Sequence, residues 1–521
     1  MKYNYSKLDE DNFKWFANDM SKATLTEIDI RKGNLRGLHN FHLSFDYPIS
    51  VIAGKNGSGK STVLALAACA FHNNKKGFHL PERKTTYYTF SDFFIQTSEE
   101  IPHEGVEIWY RFRHNNWRRS KSNPSGTGNF YQTRKKKKGG KWTNYSSRLN
   151  RNVVFLGIQR VVPHSEKSVS RSYRAYFKIG AADGWEDDVK NVVGRILGAS
   201  YDNYWVKTHS KYRLPLVISK GNVYSGFNMG AGENALFEIF TIIFASPPGT
   251  LLIIDEIELG LHEKAQKKLI LELKKLCRER KVQIICTTHS PAVLESTPPE
   301  GRFYIEIFPN KPIVTQGISV KYAAGKLAGE DSNELDIFVE DGVAITIIES
   351  TIYNEFRSRV SILPIGSPMA IVRQMAAKYK NPNSTECIAI LDGDQSSSTS
   401  KHLANFMKAL ESIKDKDKKE SWFKERLYCL PGNTWPEKWI IEQLKSLDTK
   451  ELAALLKCSE DEFETYIEEA LTVEKHNELY SLSKNLSLDT DYVKGTVANW
   501  LSLKVESEFS VIIAAIQKYL E

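Results

Sequence analysis

Ile49-Ser50-Val51-Ile52-Ala53-Gly54-Lys55-Asn56-Gly57-Ser58-Gly59-Lys60-Ser61-Thr62 is the stretch whose reading decides the fold. Ile49 to Ile52 reads as a buried strand, and Thr62 to Ala70 as an apolar helix. Between them stands the full pattern G-x-x-x-x-G-K-[ST]. Glycine lets backbone N–H groups curl around phosphates without a Cβ in the way. Lys60 adds a point charge, Ser61 a hydroxyl for Mg²⁺, and the helix N-terminus its dipole. A Gly-rich turn that binds nothing would not need strand, loop and helix in this order. Gly54, Lys55, Asn56, Gly57, Ser58, Gly59, Lys60, Ser61 and Thr62 are therefore expected to hold ATP.

Working outward, three further strands carry polar ends. Val153 to Ile158 is β-rich and closes on Gln159, suited to Mg²⁺ and an attacking water. Leu251-Leu252-Ile253-Ile254 is uninterrupted and ends in Asp255-Glu256, as expected of a strand buried on both faces of a parallel sheet. Ligands gather at the C-terminal edge of such sheets. Asp255 is placed to hold Mg²⁺ through water and Glu256 to polarise the nucleophile. Val282 to Ser290 delivers His289 to the same edge, where a γ-phosphate sensor is needed.

The order of phosphate loop, Gln159, Met229-Gly230-Ala231-Gly232-Glu233, Asp255-Glu256, Glu258-Leu259-Gly260-Leu261-His262 and His289 resembles the ABC-type ATPase head of the SMC, RecF and OLD lineages, over about residues 20–310. That resemblance implies a dimer sandwiching two ATP molecules. Gly230, Gly232 and Glu233 would belong to the loop that caps the partner's nucleotide. The serine usual in that loop is Gly230 here, which takes away a hydroxyl for the γ-phosphate. Slow turnover and binding alone both stay open.

At 521 residues, with 41% hydrophobic and 26% charged, the chain is globular and long enough for two to four domains. Six cysteines occur singly, without metal-ligand spacing, and read as reduced residues of a cytoplasmic protein. The start, Met1-Lys2-Tyr3-Asn4-Tyr5, has no apolar signal core, and no apolar run approaches a membrane span. The net charge of +8 sits in one place. Residues 111–141 hold 11 Lys/Arg and no acid; removing those 11 from the chain's 71 leaves 60 bases against 63 acids. Trp117, Phe130, Tyr131 and Trp142 accompany the charges. A basic, aromatic hairpin suits phosphate backbones and unpaired bases. Arg118, Arg119, Arg134, Lys135, Lys136, Lys137, Lys138 and Lys141 are the expected nucleic-acid contacts, a solvated loop being the alternative.

The chain restarts near Asp336 with strand-and-helix alternation. Glu340, Asp392 and Asp394 each follow an apolar strand and so fall on one edge of a small parallel sheet. Hard oxygen ligands gathered there suit Mg²⁺ or Mn²⁺. Paired ions could clamp a phosphodiester for in-line attack. The alternative is acids that only end strands and cap helices. The spacing resembles a TOPRIM domain, and behind an ABC-type head it resembles an OLD-family nuclease. The resemblance makes Glu340 the first glutamate, Asp392 and Asp394 the aspartate pair, and Glu437, in Pro436-Glu437-Lys438-Trp439, the fourth ligand. Two departures stand out. The usual glycine after the first glutamate comes late, at Gly342, and a second acid is replaced by Ala344 and Ile345. Lys438 reads equally as a charge neutraliser at the scissile phosphate and as a surface lysine.

The expected architecture is α/β. An ABC-type P-loop ATPase domain spans residues 1–310, with an antiparallel β hairpin insertion at about 108–150. A TOPRIM-like parallel α/β domain spans 330–443, and a helical C-terminal region 444–521. The expected activity is ATP-regulated, metal-dependent DNA cleavage. The resemblance implies an anti-phage effector, a retron-associated one among its forms, with a homodimer or larger oligomer. A regulatory nucleic acid or a protein partner belongs to the same expectation. The rivals are a non-catalytic ATP-binding DNA scaffold or sensor with a degenerate TOPRIM fold, and a RecF-like repair ATPase.

Overall fold

Apolar runs without alternation must be covered on both faces, and the N-terminal half sets several of them side by side. The computed structural model describes every residue except 1–2, 101–102, 122, 138–139, 144–146, 309–310, 329–332, 382–384, 411–414 and 521. The chain forms two units, residues 1–330 and 331–521.

In the first unit a six-stranded sheet runs in the order Lys311–Gln316, Arg302–Phe308, Ile49–Ala53, Gln283–Thr287, Leu251–Ile254, Val153–Leu156. All its pairings are parallel except that of the outermost strand, Lys311–Gln316. Every residue of Ile49–Ala53, Leu251–Ile254 and Gln283–Thr287 is buried. The histidine strand thus separates the loop strand from the acid strand. Register aligns their ends: Thr287 lies opposite Ile52, and Ile254 opposite both Cys286 and Leu156.

Two antiparallel sheets complete this unit. The first has the order Phe41–Ser44, Thr24–Lys32, Val106–His114, Gly128–Lys136, so the expected hairpin is the outer half of a four-stranded sheet. Val106, Ile108, Tyr110 and Phe112 alternate inward along it. The second has the order Asn222–Ser225, Tyr212–Ser219, Asn203–His209, Lys178–Ile179. It meets the helix Ala231–Ala245 where Tyr204 stacks on Phe237, ring centroids 4.6 Å apart.

The second unit has four parallel strands in the order Val360–Pro364, Leu335–Val339, Glu386–Leu391, Leu427–Cys429. Leu335, Ile337 and Val339 share one core with Trp439, Ile440, Val497 and Ile516. The helices beyond residue 444 therefore cover a face of this sheet and belong to its unit. Phe338, Met375, Leu391 and Phe406 form a second core of that unit. Among the described residues no helix is long and apolar enough to cross a membrane. All six cysteines are free thiols, and burial pushes those of Cys69, Cys277 and Cys286 well above the ordinary range.

Candidate functional site

The phosphate loop closes on its own lysine. Lys60 Nζ donates to the carbonyls of Gly54 at 2.7 Å and Lys55 at 3.0 Å. Burial lowers the Lys60 pKa, while the charges of Glu256, Asp255 and Glu258 hold it up. A Cβ on Gly54, at φ +154°, would stand 2.3 Å from the Ile305 carbonyl oxygen and 2.6 Å from Ser58 Oγ. Only glycine fits there. Gly57 also needs its freedom, for its φ is +82° although the space around it is open. Ser58 Oγ is buried with no hydrogen-bond partner among the described residues. A glycine-shaped cradle, a spare buried hydroxyl and a cation resting on carbonyls fit a polyphosphate.

At the neighbouring strand ends the acids are tied by threonines. Thr287 Oγ1 donates to Asp255 Oδ1 at 2.6 Å and accepts the Glu256 N–H at 2.7 Å. Thr288 Oγ1 donates to Glu258 Oε2 at 2.7 Å, and the His289 N–H to Glu258 Oε1 at 2.6 Å. Glu258 thus fixes the backbone that carries His289. Glu256 has φ +48°, a left-handed conformation costing on the order of 1 kcal/mol for a side chain of this kind. Gln159 is exposed, while its neighbour Arg160 is 2% exposed. Arg160 donates to the carbonyls of Gly157 at 3.0 Å, Asp255 at 2.6 Å and Glu256 at 2.5 Å. Arg160, Thr287, Thr288 and the role of Glu258 are absent from the sequence-based site. For Arg160 the sequence carries one signal, an arginine directly after an apolar strand and its glutamine.

Gly230 is the N-cap of the helix Ala231–Ala245, and a Cβ there would meet nothing within 4 Å. Gly232 is different: its Cβ would lie 2.0 Å from the Gly260 carbonyl oxygen. Gly260, at φ +77°, presses back against Gly232 N. Glu233 Oε1 accepts from the hydroxyls of Tyr201 at 2.6 Å and Tyr224 at 2.8 Å, so this carboxylate is held inside its own unit.

In the second unit Glu340, Asp392 and Asp394 follow the C-terminal ends of parallel strands. Glu437 joins them from the first turn of the helix Pro436–Ser446. Glu340 Oε1 accepts the Asp392 N–H at 3.0 Å. Burial, then the charges of Glu340, Asp341, Asp394 and Glu437, pushes the Asp392 carboxyl up to about 8. Burial likewise raises Glu340. Asp392 Oδ1 and Glu437 Oε2 are buried with no donor among the described residues. A Cβ on Gly393 would come within 2.8 Å of the Gly432 and Thr434 carbonyl oxygens, so backbone closes one side of the cluster. Two orphaned carboxylate oxygens in a field of like charge fit a cation. Among the described residues, however, no three of these acids converge at metal-ligand distance. The expected convergence is thus one of field and edge rather than of a closed ligand set. Other oxygens of the cluster are engaged: Glu340 Oε1 by backbone, Asp394 Oδ2 by Lys475, and Glu437 Oε1 by His476.

Lys475 Nζ lies 3.3 Å from Asp394 Oδ2, and His476 Nδ1 lies 3.2 Å from Glu437 Oε1. Both come from the loop between Glu460–Ala470 and Glu478–Asn485, in the helical tract read from sequence as packing. Lys438 points elsewhere, 3.9 Å from Glu442 along its own helix and over the Trp435 ring. Asp341 explains the displaced glycine. Its side chain accepts from the N–H groups of Val343 and Ala344 and caps the helix Gly342–Thr351.

The family model described as "AAA domain, putative AbiEii toxin, Type IV TA system" matches residues 49–295. Residues 49–295 form a P-loop ATPase module. Among solved structures, an SMC head bound to the C-winged helix domain of ScpA is 14% identical, with 57% of this chain and 99% of that one covered and a TM-score of 0.37. The SMC head domain from Thermotoga maritima is 12% identical, over 56% and 98%, with a TM-score of 0.32. An SMC head with an extended coiled coil from Pyrococcus furiosus, bound to the C-terminal domain of ScpA, is 12% identical over 59% and 99%, TM-score 0.34. Likeness at this level assigns neither activity nor partner. No curated protein matches the chain.

The basic hairpin beside the ATPase sheet needs correction. Arg134 is fully buried: it donates to Gln132 Oε1 and the Thr133 carbonyl and lies over the Tyr110 ring. It belongs to the core and cannot meet a phosphate. Its place in the alternating register, opposite Ile108, turns it inward. Lys135 pairs with Glu107 at 3.1 Å, and Lys136 donates to the Gly140 carbonyl. Lys138 lies outside the described residues. Arg118, Arg119, Lys137 and Lys141 are exposed and remain available. Of the aromatics, Phe130 and Tyr131 are exposed, whereas Trp142 stacks on Phe90 at 3.9 Å and Trp117 donates to the Gly128 carbonyl.

Proposed function

We propose that the chain is a nucleotide-gated, metal-dependent DNA endonuclease serving as an anti-phage effector, of the OLD type. The observation that carries this reading is the acidic edge of the second unit. Four carboxylates share one electrostatic field there, and two buried oxygens lack donors. A bound divalent ion would neutralise a phosphodiester and ready water for attack. Glu340, Asp392, Asp394 and Glu437 would hold it. Lys475, beside Asp394, offers a cation to a phosphate oxygen. In the ATPase module the loop Gly54–Thr62 would bind ATP, with Mg²⁺ at Ser61, Gln159 and Asp255. Glu256 would polarise water and His289 sense the γ-phosphate. Homodimer formation would bring Gly230 and Gly232 to the partner's nucleotide, and exposed hairpin cations would track DNA or a regulatory nucleic acid. The matched family's description as a toxin is in keeping with an effector that damages nucleic acid.

A second reading, a non-catalytic ATP-binding DNA scaffold, is favoured by the open ligand set and by Gly230. Plasmid nicking with Mg²⁺ or Mn²⁺, on wild type and Asp392→Ala, separates the two. Metal-dependent cleavage abolished in the variant upholds the nuclease. Absence of cleavage by wild type with either metal, with and without ATP, turns the assignment to the scaffold.

A further inference from the structure

The ATPase module contains a cavity of about 450 Å³ whose lining, Gln159 apart, has no part in the proposed nucleotide site. Its volume lies within the roughly 300–1,000 Å³ of small-molecule sites. It is walled by the Gln159–Arg160 turn, the helix Ala231–Ala245 and the sheet strands Asn203–His209 and Tyr212–Ser219. Phe155, Val206, Pro215 and Ile242 give it apolar and aromatic surface. Five charged side chains also face it: Glu82, Arg160, Lys167, Arg213 and Glu238.

Charges in sheltered places are ordinarily paired, because desolvation costs more than an unpaired contact returns. Here Lys167, Arg213 and Glu238, each partly sheltered, make no side-chain hydrogen bond or ion pair among the described residues, while Glu82 is exposed. Burial, the largest influence on Glu238, pushes its carboxyl toward the neutral acid, which can donate as well as accept. His164 is driven down to about 4 by burial, so it adds no charge near neutral pH. Three cations against two acids leave the lining positive, and its ring surfaces suit a flat organic body.

We propose that this cavity binds a small aromatic anion of mononucleotide size and that its occupancy alters nucleotide binding at the phosphate loop. Lys167 and Arg213 meet the anionic group; Phe155 and Tyr212 flank the ring; Glu238 and Glu82 read its polar edge. The coupling runs through Arg160. This residue lines the cavity and at the same time holds the carbonyls of Asp255 and Glu256. Asn234, also on the lining, fixes Arg160 from behind by donating to its carbonyl at 3.2 Å. A ligand that draws on the Arg160 guanidinium competes with those carbonyls, and so favours one setting of the acid strand's end over another. The proposal concerns the ATPase module alone and stands apart from the nuclease reading.

The test is calorimetry on the full chain carrying Lys60→Ala, which disables the phosphate loop. The probes are the four nucleoside 5′-monophosphates and the four 3′,5′-cyclic monophosphates. At least one probe is expected to bind. Affinity should fall 10-fold or more in Lys60→Ala chains that also carry Lys167→Ala and Arg213→Ala, or Val206→Trp, which fills the cavity. The charge variant keeps the apolar wall intact and decides the matter if the tryptophan variant misfolds. In wild type, saturating probe should shift ATP affinity at least 3-fold. Binding by wild type that vanishes with Lys60→Ala places the probe on the phosphate loop and overturns the cavity assignment, leaving the loop assignment standing. Binding indifferent to the cavity variants, or no binding at all, overturns it too. An unchanged ATP affinity overturns the coupling.

Discussion

The phosphate loop and the acidic edge both sit at the C-terminal ends of parallel strands, yet they are built in opposite ways. The loop is closed on its own groups. Lys60 rests on two carbonyls, and Thr287, Thr288 and the His289 backbone satisfy Asp255 and Glu258. The acidic edge carries unrelieved repulsion, with Asp392 held far above an ordinary aspartate by burial and by its neighbours. A site made of backbone donors can be preformed at little cost. A cluster of buried carboxylates is relieved by a proton or by a cation, so ion binding there would also contribute to folding.

The hardest blow to this contrast would come from the loop. Lys60→Ala should weaken ATP binding about 100-fold, ~2.7 kcal/mol, with divalent binding at the acidic edge unchanged. Calorimetry with ATP and with Mn²⁺ reads both; an unaltered ATP affinity would falsify the loop's role.

Next in size is the strain at Asp392. Its folded pKa of about 8 exceeds the ordinary 3.8, so the unfolded chain gives up this proton first. Stability must then fall as pH rises from about 4 to about 8. Asp392→Asn removes that slope. Without metal the variant should be more stable than wild type at neutral pH, by up to a few kcal/mol, and equally stable below pH 4, as thermal or denaturant unfolding reads. Saturating Mn²⁺ should close or reverse the gap. A gap indifferent to Mn²⁺ means that no ion is held there.

The same contrast between satisfied and unsatisfied charge divides the hairpin. Neutralising Arg118, Arg119, Lys137 and Lys141 should lower the salt slope of duplex DNA binding by about 0.9 for each phosphate no longer neutralised. Arg134→Gln should instead lower the melting temperature and leave the slope alone. Filter binding across a salt series beside thermal melts tests the division, and a slope change in Arg134→Gln would undo it. The smallest effect belongs to Gly230. Space is open there, so Gly230→Ser should fold normally and gain a few tenths of a kcal/mol as a helix cap. Any rise in ATP turnover with it would show that a hydroxyl at this position reaches the γ-phosphate.

The loop was legible because its chemistry is local: glycines, lysine and serine act within nine residues, and the flanking strand and helix are apolar runs. The acid and histidine strands were legible for the same reason. Arg160 was not, since only the meeting of two strand ends, at Gly157 and at Asp255-Glu256, gives it carbonyls to bind. Lys475 and His476 lie 38 or more positions beyond Glu437, in a helical tract whose sequence shows no ligand spacing, and only the shared core carries them to the acids. Arg134 was misread because a run of cations looks uniformly wet. Alternation in a paired strand turns every second side chain inward, whatever its charge.

The apposition of Gly232 and Gly260 bears on how this chain can drift. A methyl group at either position drives backbone into backbone, and no change at the other can make room, since neither has a side chain to give up. The two codons are therefore locked separately as well as jointly. In a random library selected for ATP binding, deep sequencing should find both depleted of every substitution, while Gly230, two residues away and unobstructed, collects alanine and serine freely.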